Sequence, residues 1–207
     1  LNRIYKVTKM DTTGASLNDN FNISKGSFKN AVVLKNFEYT AYIDDADIKI
    51  NFCKLKSHGM MAMSCAVKNL FGLIPGTLKP EYHYRFPNPV LFSNMLIDLN
   101  EYFKFDINIV DGIVGMDGNG PTMGDTKKMG IVLASCNPYA LDYICAKIIG
   151  LDENNVESKT QINTIRVDII KVNNENYKNK IIFLYESLKK FNNFVIVGPP
   201  ICGKTRL

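Results

Sequence analysis

No apolar stretch in this chain approaches the roughly 18 to 20 residues that a membrane-spanning helix requires. The longest candidates, Ile107 to Val110 and Phe194 to Val197, are strand-sized, so no membrane partner is expected. The N-terminus lacks the basic start, apolar stretch and small-residue cleavage site of a secretory leader. It begins at Leu1 rather than Met, which points to a fragment. Cysteine is never paired at short spacing: Cys53, Cys65, Cys136, Cys145 and Cys202 form no C-x-x-C. That argues against a zinc ribbon or a four-cysteine iron–sulfur loop within the chain, and it predicts buried thiols in a reducing cytoplasm. Charge of one sign is scarce too. The formal surplus is +5, from 25 Lys plus Arg against 20 Asp plus Glu, spread without a basic run. A nucleic-acid groove wants a stripe of cations interleaved with stacking aromatics, so nucleic acid is not an expected partner.

What is present describes an ordinary globular α/β chain of 207 residues, 46% hydrophobic and 22% charged. Residues 46–53 alternate A-D-I-K-I-N-F-C, the period-two pattern of a strand, and a polar turn is expected over 54–59. Residues 60–71 carry no breaker and close on Gly72, which predicts a short helix. Asn88 before Pro89 reads as an N-cap with proline at the first helical position. Behind it Leu91, Phe92, Met95, Leu96, Leu99, Tyr102 and Phe103 form an apolar stripe. A strand ending at Val110 follows, then a glycine-dense loop over 111–125, a buried strand from Gly130, and a helix opened by Asn137 and Pro138. The expected fold is α/β, with a mostly parallel or mixed sheet flanked by helices and a small incomplete C-terminal segment. The boundaries are a body over 1–151, a linker or peripheral region over 152–179 with one candidate strand, and a helix, strand and terminal loop over 180–207.

Ligands in such sheets sit outside the carboxyl ends of strands. Two unusual loops begin there. K-L-K-S-H places Lys54, Lys56 and His58 after a strand, with Lys68 and Asn69 at the end of the next helix. The second opens with Asp111, and its glycines, Gly118 and Gly120 around Asn119 among them, allow backbone amides to cradle an anion. In this reading Lys54, Lys56, Lys68 and Arg85 supply positive field for a carboxylate or phosphate, His58 transfers a proton and Asp111 positions it. His83, in E-Y-H-Y-R-F, joins the anion-binding set or packs among aromatics. Asp111, Asp117, Asp125 and the two histidines show no motif that sets metal-ligand geometry, so no metal is assigned. No residue pair has the spacing of a recognised catalytic dyad, and no enzyme class is assigned.

The run K-L-K-S-H-G-M-M-A-M-S-C-A-V-K-N-L-F-G-L-I-P-G, then E-Y-H-Y-R-F, D-G-I-V-G-M-D-G-N-G-P and N-P-Y-A-L-D, resembles the DUF362 family over about residues 5–151. Lys54, Lys56, His58, Lys68, Asn69, His83, Arg85, Asp111, Gly118, Asn119 and Gly120 match that family's motif positions. The resemblance implies a redox-associated protein of undefined activity, often joined to a 4Fe-4S electron-transfer module. The family's beginning and its four-cysteine loop are missing from this sequence.

A different motif ends the chain. G-P-P-I-C-G-K-T over 198–205 satisfies the P-loop pattern G-x-x-x-x-G-K-S/T after the strand-like N-F-V-I-V. Gly198 and Gly203 would wrap phosphates, Lys204 would reach the β and γ positions and Thr205 would hold magnesium of Mg-ATP. The tail from about Lys180 is similar to the entry of an AAA-class, dynein-like ATPase module, though only Arg206 and Leu207 follow the motif. The leading expectation is a cleft for an anionic small molecule, with a redox partner. The alternatives are a truncated nucleotide-binding module and a non-catalytic scaffold domain.

Overall fold

The computed structural model describes residues 22–151 together with the backbone of two strands at 168–171 and 194–197. The described part opens with an antiparallel ribbon, β1 (Ile23–Ser27) and β2 (Asn36–Thr40). The central elements follow as β3 (Ile48–His58), β4 (Ala62–Ser64), α1 (Ala66–Asn69), a 3-10 turn (Leu70–Leu73), α2 (Lys79–Arg85) and α3 (Pro89–Phe103). Then come β5 (Ile107–Asp117), β6 (Asp125–Ser135), α4 (Pro138–Ile148), β7 (Asp168–Lys171) and β8 (Phe194–Val197). The main sheet has the order β4-β3-β5-β6-β7, and β8 pairs with the first half of β3. It is mixed: β3 runs parallel to β5 and β8, and the other pairs are antiparallel.

Both expected helix starts are realised. The Asn88 side chain accepts from the Leu91 N–H at 2.9 Å, and that of Asn137 from the Ala140 N–H at 2.9 Å. These caps satisfy donors that the first helical turn leaves unpaired. Phe92, Met95, Leu96, Leu99 and Phe103 of α3 are buried as their spacing predicts. They pack against the ribbon, where the Phe37 ring meets Tyr102 edge-on at 4.9 Å and Tyr39 meets Phe103 at 5.0 Å. Leu141 and Cys145 of α4 are buried against Cys53, Leu55, Val110 and Leu133 of the main sheet, while Ile148 and Ile149 at its end are exposed.

Three expectations are corrected. The polar turn over 54–59 is the second half of β3. Leu55 is buried beside Cys53, so the inward alternation continues through the lysines, and β4 and β5 supply hydrogen-bonding partners for this part of the strand. The helix expected over 60–71 is divided into β4, α1 and the 3-10 turn. Asp142 on α4 accepts from the Ala66 and Val67 N–H groups at 2.7 and 3.1 Å, so a remote carboxylate sets where α1 begins. The glycine-dense loop is mostly strand, its turn confined to 118–124. Gly112 permits this: a Cβ there would lie 2.8 Å from Ile131 Cγ1 on β6.

Candidate functional site

The end of β3 carries Lys54, Lys56 and His58, and the turn joining β5 to β6 folds back onto it. A Cβ on Gly120 would overlap the Ser57 carbonyl oxygen, and one on Gly59 would lie 4.0 Å from the Gly120 carbonyl oxygen. The two loops singled out in the sequence therefore meet. They meet by close backbone packing, however, and not as an anion cradle. The Gly118 N–H donates to Asp117 at 2.8 Å, the Gly120 N–H donates to the Gly118 carbonyl at 2.8 Å, and the Met123 N–H donates to the Asn119 carbonyl at 3.1 Å. The Gly118 and Gly120 amides are thus already committed within the turn.

Lys54 and Asp111 also take different roles from those expected. They are register partners on the parallel strands β3 and β5, joined by a half-buried ion pair of 2.7 Å. Asp111 also accepts from the Ile113 N–H at 3.0 Å. Its carboxylate is held by these two donors and does not orient His58. Asn69 secures α1 to the sheet: its amide donates to Asn51 at 2.8 Å, and Asn51 in turn donates to Asn108 at 2.8 Å and to the Ala66 carbonyl at 2.9 Å. Arg85 stays on α2, stacked 5.3 Å from Tyr82 and paired with Glu81 at 3.5 Å.

The remaining predicted residues do gather. Lys68 Nζ stands 5.9 Å from the Phe71 ring centre and 6.0 Å from that of Phe92. His83 stacks on Phe92 at 4.9 Å with the rings nearly parallel, and meets Phe71 edge-on at 5.5 Å. Lys79, which the sequence reading passed over, brings its Nζ to 5.9 Å from Phe71. Lys79 and His83 share a face of α2 one turn apart. The available cue was Pro80 directly after Lys79, the same proline-at-helix-start pattern as at Asn88 and Asn137.

Within this cluster the electrostatics single out Lys68 and Lys79. Burial and the nearby charges of Lys56 and Lys79 lower Lys68 to a pKa of about 8. Burial lowers Lys79 as well. His58 is lowered to about 4 by burial and then by Lys68, His83 and Lys56. Its Nδ1 accepts from the Met60 and Met61 N–H groups, each at 3.2 Å. The neutral ring therefore carries its proton on Nε2 and presents a hydrogen-bond donor near neutral pH. It is not an imidazolium acid. Among the described residues no carboxylate forms an ion pair with Lys68 or Lys79. Lys56, itself almost fully buried, lies opposite Ser64 in the β3–β4 register. The hydroxyls of Ser64 and of Ser57 are buried without a hydrogen-bond partner among the described residues.

The described cysteines do not fit an iron–sulfur cluster. Cys53, Cys65 and Cys145 are buried in the apolar layer beneath α4, and Cys136 is exposed apart from them. Burial raises the first two thiols, and a hydrogen bond with Cys65 followed by burial raises the third, whereas cluster ligation needs thiolates. Among the described residues no three His, Cys, Asp or Glu side chains gather as metal ligands. Gly198, Gly203, Lys204 and Thr205 lie outside the described residues.

Comparison with known proteins accords with the body of the chain and not with its tail. A thylakoid-associated protein of Synechocystis sp. is 40% identical over 109 residues, which are 52% of this chain and 34% of that protein. The match therefore spans about a third of the relative's length. No solved structure matches the chain. Among the described residues no helix is long and apolar enough to cross a membrane. The resemblance of the tail to an AAA-class ATPase finds no support, since the family match stops well before it. That match covers residues 4–147, which contain every residue of the basic cluster, and the chain belongs to the family described as a domain of unknown function, DUF362.

Proposed function

We propose that the cluster of Lys56, Lys68, Lys79, His58 and His83 binds a small anionic molecule through a carboxylate or phosphate group. The observation that carries this reading is the convergence of Lys68, Lys79 and His83 on the rings of Phe71 and Phe92 with no carboxylate ion-paired to either lysine. Holding like charges together in a partly desolvated place costs stability unless a counter-charge arrives. An anion supplies it. Lys68 and Lys79 act as point charges, the Nε2–H of His58 donates a directed hydrogen bond, and the unpaired Ser64 hydroxyl beside Lys56 adds a further donor. The aromatic faces exclude water on one side and strengthen these contacts.

Isothermal titration of the chain with inorganic phosphate and with acetate tests the reading. Binding that weakens with rising salt, and that falls at least about tenfold in Lys68→Met and in Lys79→Met, supports it. Binding unchanged in both variants, or absent at millimolar anion, sinks it.

The electron-transfer role implied by family resemblance would need a cluster held elsewhere, since the described cysteines lack the donor arrangement. The free, buried thiols suit a reducing compartment such as the cytoplasm.

A further inference from the structure

We infer that Lys68 is a nucleophilic amine that forms an imine with a small carbonyl compound bearing a carboxylate or phosphate. This deepens the anion-binding reading and rests on it. Three observations carry the argument. First, Lys68 Nζ lies against two aromatic faces at 5.9 and 6.0 Å and makes no ion pair among the described residues, so no carboxylate holds its proton. Second, the charges that act on it are cationic: Lys56 and Lys79 lower it directly, while His58 and His83 feel its charge in turn. A lysine desolvated beside other cations is the environment that releases a free amine near neutral pH. Third, the same lysines would hold the anionic end of the reactant, and the Nε2–H of His58 would hydrogen-bond a carbonyl oxygen and polarise it without needing to ionise.

The step balances without an oxidant or reductant. The Lys68 lone pair forms the N–C bond as the carbonyl π pair moves to oxygen, and a proton passes from nitrogen to that oxygen, giving a carbinolamine. A second proton, taken up from solvent, departs with the oxygen as water while the nitrogen lone pair closes the C=N bond. The product is a cationic iminium, and its charge is offset by the carboxylate or phosphate it carries.

The test incubates the full chain with glyoxylate and sodium cyanoborohydride at pH 7 and maps carboxymethyl-lysine by peptide mass spectrometry, with Nα-acetyl-lysine in the same tube as a reference. A pKa of about 8 against about 10.4 for an ordinary lysine predicts labelling of Lys68 on the order of a hundredfold faster than the reference. The labelling rate should rise to its half-maximum near pH 8, and inorganic phosphate should slow it. Labelling of Lys68 at or below the reference rate overturns the inference. Phosphate binding by calorimetry separates the two readings: binding without label leaves the anion site standing and removes the imine, while label without binding removes the anion site and, with it, an anionic reactant held there. Lys68→Arg should lose the label; if it fails to fold, phosphate protection of the unaltered chain decides.

Discussion

Gly120 lies directly against the carbonyl of Ser57, with no room for a side chain between the β5–β6 turn and the end of β3. The contact joins the two loops that the sequence pattern singles out. Gly120→Ala must push the turn away, because the obstacle is backbone and cannot rotate aside. Overpacking of this kind costs about 1 to 3 kcal/mol. Urea denaturation should show that loss, and phosphate titration should show weaker binding if the turn helps seal the basic cluster. Unchanged stability would mean that the turn yields without cost.

Asp98 on α3 accepts from the N–H groups of Val32, Val33 and Leu34 at 2.9, 2.8 and 2.8 Å. One carboxylate thereby anchors the segment that joins β1 to β2. Asp98→Ala leaves three amide donors without this acceptor, that of Leu34 buried and those of Val32 and Val33 partly buried, and a fully buried orphan costs about 1 to 3 kcal/mol. The variant should lose about 3 kcal/mol or more in denaturant unfolding, with hydrogen exchange of these three amides accelerated ahead of the rest.

Asp142 caps α1 from α4 while buried, and that burial raises its pKa to about 7. A carboxyl raised above its unfolded value of about 3.9 favours folding while protonated, and this contribution is lost as pH rises through the folded value. Stability should therefore decline between about pH 4 and pH 7 through this group. Asp142→Asn should flatten that slope, at the cost of one acceptor for the α1 amides. Denaturation midpoints measured across the window check both effects.

The chain has two histidines, His58 and His83, so their titrations are separable by NMR. His58 should titrate near 4, well below an ordinary imidazole. Burial is the larger cause and Lys68 the next, so Lys68→Met should raise the midpoint without restoring it fully. The lysine is itself lowered, a cost fully present below about pH 8. Its removal should therefore stabilise the ligand-free chain by about 1 to 2 kcal/mol at neutral pH. A His58 midpoint near 6.5 would contradict the described packing of the cluster.

Local patterns were legible where the relevant chemistry lies within a few residues. Asn88 and Asn137 cap helices through their own side chains, and the stripe from Phe92 to Phe103 follows helical spacing onto the core. Patterns failed where a distant group decides. Nothing within residues 60–71 announces that Asp142 sets the start of α1, and nothing near Asp111 announces that Lys54 pairs with it across parallel strands. The amide chain from Asn69 through Asn51 to Asn108 is invisible for the same reason, its members standing far apart in sequence.

By itself the amino-acid order determined the α/β class, the two capped helices, and that Lys56, His58, Lys68 and His83 were residues to examine. Tertiary structure decided which of the charged residues act together. It withdrew Lys54, Asp111 and Arg85 into ion pairs, closed the glycine turn on its own hydrogen bonds, and brought Lys79 beside Lys68 over Phe71. The physical reason is range. Capping and helical periodicity act within a turn or two of chain, whereas ion pairing, desolvation and charge repulsion depend on distances in space that only the packed sheet and helices establish.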